Sequence, residues 1–286
     1  RMRDDEHFYG LGMRTSRLDL RGGTFGLFNR EPGGEYKEGD DPLYVTAPVY
    51  FGVHGSGSYL VFFENSWRGE VSFRERAEAR FDGGALRIYL VPGPPAAAYD
   101  RFSELTGRPA LPPRWALGFH QCRWSYGSEA EVRELVDGFR SRGLPLSAVH
   151  LDIDYMDGHR VFTVDPKRFP DLAALGRECD GKGVKLVAIL DPGVKEDESL
   201  PLYREGVEKG LFCELPDGRK LRGPVWPGAC AFPDFTKPAT RAWWAAQYPR
   251  LLEQGISGAW HDMNEPSVFG AWGEATLPLS TRHDLD

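Results

Sequence analysis

The sequence predicts an α/β plus β protein with two folds in series: an antiparallel β-sandwich over residues 1–108 and an incomplete (β/α)8 TIM barrel over residues 109–286. Three observations carry this reading. Short alternating apolar runs broken by glycine turns fill the first part, a strand, loop and amphipathic-helix rhythm repeats through the second, and a proline-rich break separates them.

In the first part, Ala47-Pro48-Val49-Tyr50-Phe51-Gly52-Val53 and Tyr59-Leu60-Val61-Phe62-Phe63 are strand-like, with turns at Arg21-Gly22-Gly23, Gly55-Ser56-Gly57 and Asp82-Gly83-Gly84. Val91-Pro92-Gly93-Pro94-Pro95 ends the pattern. Ala96 to Leu105 predicts one helix, and Arg108-Pro109-Ala110-Leu111-Pro112-Pro113 marks the boundary between the two folds.

Four strands follow. The first is predicted at Trp115 to His120, with a helix capped by Ser128-Glu129-Ala130-Glu131 and running to Arg142. The second is Ala148 to Ile153, followed by a helix from Asp171 to Lys182. The third is Val184 to Leu190, followed by a helix from Leu202 to Lys209 and a hairpin turning at Asp217-Gly218. One long helix, Pro238 to Gln254, precedes the fourth strand, Ile256 to Trp260. Four such units are half of a barrel that takes about 250 residues. The expectation is therefore a chain that stops midway and leaves two apolar sheet edges. A complete doubly wound sheet is the rival, but no glycine-rich loop follows the first strand.

Composition narrows the function. The chain has 286 residues, 41% of them hydrophobic, and a net charge of -7 that would repel a phosphate backbone. Nucleic acid is not an expected partner. No apolar run approaches the roughly 20 residues needed to span a bilayer, so no membrane partner is expected either. Four scattered cysteines fit a reduced, cytoplasmic setting. The chain begins at Arg1, so the natural start is expected upstream, with room for a removed signal peptide. No motif sets an oligomeric state.

Chemistry is expected where strands end, because barrel loops converge on that face. The predicted strands end in His120-Gln121-Cys122-Arg123-Trp124, Asp152-Ile153-Asp154, Asp191-Pro192 and His261-Asp262. One aspartate at such a place is an ordinary loop cap. Three in the same place favour a site.

Trp260-His261-Asp262-Met263-Asn264-Glu265-Pro266-Ser267 resembles glycoside hydrolase family 31, the α-glucosidase and glucosidase II group. So do Leu117-Gly118-Phe119-His120-Gln121-Cys122-Arg123-Trp124, Asp152-Ile153-Asp154-Tyr155-Met156-Asp157 and Val225-Trp226-Pro227-Gly228. The resemblance runs from Phe8-Tyr9-Gly10-Leu11-Gly12 to the last residues. It implies a retaining hydrolase that removes terminal α-linked glucose from oligosaccharides, with Asp262 as nucleophile and Glu265 as its orienting companion. Asp152 would hold sugar hydroxyls in the −1 subsite and Asp191 would line that pocket. Trp124, Trp226 and Trp260 would be its apolar walls, although core packing explains any single tryptophan equally well. His120 and His261 would position neighbours in this region, and His159 and His283 would lie on the surface. No cofactor is implied.

Retention requires a second carboxyl about 5 to 5.5 Å from the nucleophile. After Asp262 the sequence offers Glu265, Glu274, Asp284 and Asp286, none in a context resembling the family's donor motif. The acid/base is thus expected beyond Asp286, and the 286 residues alone are expected to be inactive or nearly so. Two alternatives remain open: a non-catalytic carbohydrate-binding fragment, and an α-xylosidase or α-transglucosidase of the same family. A metal site at Asp152-Ile153-Asp154-Tyr155-Met156-Asp157-Gly158 is disfavoured by spacing, since Asp157 follows Asp154 by three residues where a calcium loop has two. No zinc spacing occurs either. Linkage and aglycone preference are not encoded in these motifs.

Overall fold

The computed structural model describes residues 2–32, 36–269, 278 and 280–282, and the chain divides into two compact units, Arg1–Ala110 and Leu111–Asp286. Glu274, His283, Asp284 and Asp286 lie outside the described residues.

The first unit holds β1 (His7–Gly12), β2 (Thr24–Leu27), β3 (Thr46–His54), β4 (Gly57–Phe63), β5 (Gly69–Phe73), β6 (Ala77–Phe81), β7 (Ile88–Pro92) and α1 (Pro95–Thr106). Two antiparallel sheets form, in the orders β1-β3-β4-β7 and β2-β5-β6. Alternation along the strands sends every second side chain inward. Phe8, Tyr50 and Phe63 from one sheet therefore meet Phe25, Leu27, Val71 and Phe73 from the other in one buried cluster. Phe8 stacks on Phe73 with ring centroids 4.2 Å apart. This is the predicted sandwich, and the predicted helix is α1, which starts on Pro95 where a missing N–H costs nothing.

The second unit holds β8 (His120–Gln121), α2 (Glu129–Ser141), β9 (Ala148–Leu151), α3 (Leu172–Gly181), β10 (Lys185–Leu190), β11 (Val194–Lys195), α4 (Pro201–Glu208), β12 (Arg222–Val225), β13 (Gly228–Ala231), α5 (Pro238–Ala245), α6 (Tyr248–Glu253) and β14 (Ile256–His261). Its parallel sheet has the order β14-β10-β9-β8. Each parallel strand lies beside its predecessor with no reversal of direction across the sheet, as in an arc of a barrel and unlike a doubly wound sheet. Helices cover one face: Val132 and Val136 of α2 and Leu172, Leu175 and Cys179 of α3 pack on Val149, Leu151, Leu186, Ala188 and Leu190.

The helix starts follow the sequence closely. Ser128 Oγ accepts from the N–H of Glu131 at 3.3 Å, while Glu131 Oε2 reaches back to the N–H of Gly127 at 3.1 Å. Asp171 Oδ1 accepts from the N–H of Ala174 at 2.8 Å. The α3 turn also approaches β14: a Cβ on Gly176 would sit 2.7 Å from Gly255 Cα. Gly176→Ala is accordingly expected to destabilise the second unit by about 1–3 kcal/mol, read as a lowered urea midpoint, because neither backbone can retreat.

Four departures from the sequence reading have physical causes. The predicted first strand is a 3₁₀ turn, Arg114–Leu117, followed by the two-residue β8. Pairing with β9 begins only where the Phe119 carbonyl accepts from Ser147 and Ala148. Ile153 leaves β9, because Asp152 caps a 3₁₀ turn over Ile153–Tyr155. The long helix splits into α5 and α6, since Pro249 cannot donate to the Ala245 carbonyl. The turn at Asp217-Gly218 is present, with Gly218 at φ 82°. Beside it stands a three-stranded antiparallel sheet, β11-β13-β12, that the sequence reading missed.

Candidate active site

Period-two alternation decides which side chains face away from the helices. Parallel pairing sets His120 beside Ala148, His150 beside Val187, Val187 beside Gly258, and Ile189 beside Trp260. Those residues share the inner face. The next inward position beyond each strand end is Cys122, Asp152, Asp191 and Asp262 respectively. The strands thus carry a layer of rings and aliphatic groups, and above it, at their carboxyl ends, a layer of acids and one thiol.

The local folds hold those acids in place. Asp152 Oδ1 accepts from the N–H of Ile153 at 2.7 Å. The buried Tyr155 hydroxyl donates to the Ile189 carbonyl at 3.0 Å, fastening that turn to β10. Asp262 follows β14 directly, and Met263 turns the chain at φ 56°. Ser267 Oγ donates to Glu265 Oε2 at 2.7 Å, and the N–H of Phe269 donates to the Pro224 carbonyl at 2.9 Å. The loop after Asp262 is thereby anchored on the three-stranded sheet, where Val268 packs with Leu221, Val225 and Cys230.

Electrostatics show that the acids form one group. Asp191 is only 6% exposed, and its Oδ1 has no hydrogen-bond partner among the described residues. Burial first, then the charges of Asp262, Asp152 and Glu265, push its carboxyl up to about 7. Asp152 also lies above the usual carboxylate range, mainly through burial and further through Asp262 and Asp154, with the Ile153 N–H opposing. Burial raises the Cys122 thiol as well, helped by Asp152 and Asp262. This concentration of negative charge suits a cationic centre that develops during reaction. Asp154 and Asp157 are neutralised by their own cations: Asp154 pairs with Arg168 at 2.5 Å and Asp157 with Arg160. Among the described residues no group of three or more His, Cys, Asp or Glu is arranged to hold a metal ion.

The aromatic residues divide in two. Trp124, 70% exposed, lies edge-on to Trp226 with centroids 5.3 Å apart, and Trp226 lies edge-on to Phe269 at 4.9 Å. Trp260 and His120 instead sit in the ring layer below the acids, each touching His150. His261 points the other way and bonds the Tyr248 hydroxyl at 2.6 Å, and His159 is half-buried against Asp154. Cys122, His150 and Phe269 were not singled out from the sequence as site residues. Their neighbours are set by strand register and by the anchored loop, and Cys122 alone carried a local signal, its place at a strand end. All four cysteines are free, and Cys122 is the exposed one. No helix among the described residues is long and apolar enough to cross a membrane.

Comparison with known proteins agrees across the chain. Residues 109–284 match the glycosyl hydrolases family 31 TIM-barrel domain, and residues 1–71 match the glycosyl hydrolase 31 N-terminal galactose mutarotase-like domain. Alpha-glucosidase 2 of Bacillus thermoamyloliquefaciens is 40% identical over 289 residues, covering 100% of this chain and 36% of that protein. Alpha-glucosidase of Saccharolobus solfataricus is 35% identical, covering 98% of this chain and 41% of its own length. The crystal structure of a family 31 alpha-glucosidase from Bacteroides thetaiotaomicron superposes with a TM-score of 0.85 at 35% identity, over 96% of this chain and 47% of that one. The chain therefore spans between a third and a half of the length of these relatives.

Proposed function

The chain belongs to glycoside hydrolase family 31, and from that premise we propose that it carries the nucleophile side of a retaining α-glucosidase site that removes terminal α-linked glucose from oligosaccharides. The observation that supports this most is the placement of Asp262, Asp191 and Asp152 on one face at the ends of three adjacent parallel strands. In this reading the Asp262 carboxylate attacks the anomeric carbon as the glycosidic bond breaks, forming a glycosyl ester that water later cleaves with net retention. Glu265, steadied by Ser267, tunes and orients it. Asp152 accepts hydrogen bonds from sugar hydroxyls. Asp191, protonated up to about pH 7, has a buried oxygen free to meet another. Trp124 and Trp226 offer apolar faces to the pyranose, with Trp260 and His120 supporting the pocket from beneath.

A mechanism-based fluorosugar or cyclitol epoxide tests the assignment. Mass spectrometry of labelled, active protein should find the adduct on Asp262. An adduct on Asp152, Asp191 or Glu265 would give the nucleophile's role to that residue instead.

The leaving oxygen also needs a proton. In this reading Asp152 and Asp191 are engaged with sugar hydroxyls and Glu265 with Ser267, so none of these carboxyls is assigned to the leaving oxygen. The 286-residue chain assayed alone is accordingly expected to release nitrophenol from an aryl α-glucoside only marginally above background. Robust turnover would mean that one of these groups acts as the acid.

A further inference from the structure

We infer that His150 is a positioning residue of this site: it donates a hydrogen bond from Nε2 to His120 Nδ1 and so fixes the imidazole against which Trp260, two residues before the nucleophile, is packed. The inference rests on the reading of Asp262 as the nucleophile and adds the layer beneath it.

The geometry consists of four rings crossing the inner face of the sheet. The Trp115 and His120 rings stack with centroids 5.9 Å apart, His120 and His150 lie 5.3 Å apart, and His150 meets Trp260 at 5.9 Å, inclined by 67°. Two polar contacts thread the row: His120 Nε2 lies 3.3 Å from the Trp115 carbonyl oxygen, and His120 Nδ1 lies 3.0 Å from His150 Nε2. A carbonyl can only accept, so His120 carries its hydrogen on Nε2. Its Nδ1 is then a lone pair, and His150 must donate from Nε2. One tautomer of each ring satisfies both contacts, whereas the opposite tautomer of His120 turns a lone pair toward the Trp115 carbonyl and loses that contact.

The surroundings fit that arrangement. Gly258, in register with Val187 and through it with His150, leaves space for the row: a Cβ there would lie 3.2 Å from Trp115 Cη2 and 3.4 Å from Val187 Cγ2. Burial, with the neighbouring His120 adding to it, holds the His150 imidazole below its ordinary value, so it is neutral at neutral pH. With its ring plane fixed, His150 presents a constant surface to Trp260, and the end of β14 keeps Asp262 at one height above the layer. Catalysis is sensitive to displacements of that kind, because a shift of about 1 Å at the reacting group can cost about 100-fold in rate.

Two measurements test the inference. Nitrogen-15 NMR of the unmodified chain reads both imidazoles directly, and the expected result is neutral rings with hydrogen on Nε2 of His120 and of His150. A hydrogen on Nδ1 of His120 overturns it. In a preparation that hydrolyses an aryl α-glucoside, His150→Phe keeps a ring but loses the donor, and should lower kcat by about 10- to 100-fold with KM within about twofold. His150→Gln, which restores a donor, should recover most of that loss. Unchanged kcat in the phenylalanine variant, or equal losses in both, overturns the inference. A covalent label landing away from Asp262 would instead overturn the nucleophile assignment and leave the tautomer result standing.

Discussion

Asp262→Asn, made in a preparation that hydrolyses an aryl α-glucoside, is expected to lower kcat by about 10⁴-fold or more, the order of loss when an enzyme's nucleophile is removed. The amide is isosteric but cannot form the ester at the anomeric carbon, so the two-step route closes. Stability should barely change. Asp262 is half-buried, and the hydrogen bond from Asn264 Nδ2, at 2.6 Å, goes to its main-chain carbonyl and is untouched by the substitution. The melting temperature should therefore stay within the small range of a surface change, about 0.5 kcal/mol or less. Residual activity near one tenth of the original would move the covalent step to another carboxylate.

Asp191→Asn should do the reverse to stability while also removing activity. In the fold this carboxyl titrates at about 7 against an ordinary value of 3.8, so the native state holds its proton where the unfolded chain releases it. The sign follows: stability falls as pH rises from about 4 to about 7, because the native state binds more protons, and the cost is constant above that. At about 1.4 kcal/mol for each pH unit, asparagine should stabilise the chain at pH 8 by of order 2–4 kcal/mol. At pH 4 and below the gain should vanish, since aspartic acid is then protonated in both states. Urea midpoints at the two pH values check this. An equal gain at both would show that the carboxyl is not the source of the strain. Under the proposed function a bound sugar would compensate this cost at Asp191 Oδ1, which has no hydrogen-bond partner among the described residues.

How much of this was legible in the sequence depended on whether the deciding contact was local. Strands β3 and β4 were readable because alternation is a property of the strand itself, and α2 because Ser128 and Glu131 cap within one turn. The positions of Asp152, Asp191 and Asp262 were readable because each follows an apolar run. Pro249 was visible inside the predicted helix, yet propensity on both sides masked its effect. The three-stranded sheet was not readable, because Pro224, Pro227 and Gly228 give the β12–β13 hairpin the composition of a loop, and β13 finds its other partner, β11, more than thirty residues earlier in the chain. His150 is the clearest example of what local sequence conceals. Alone it is a polar residue in a short strand, and its partner His120 arrives from 30 residues earlier.

The alternation that stacks acids above rings also governs how this protein can change over generations. Substitutions in the connecting loops leave the layers in register, and even long insertions there are tolerated at little cost. Deletion of a single codon within β9, β10 or β14 is another matter: it would rotate every later side chain of that strand to the opposite face. His150 or Trp260 would then press into the helices, and the aspartate beyond would turn from the pocket toward the hydrophobic side. Drift by replacement is open to these strands, whereas drift in length is confined to what lies between them.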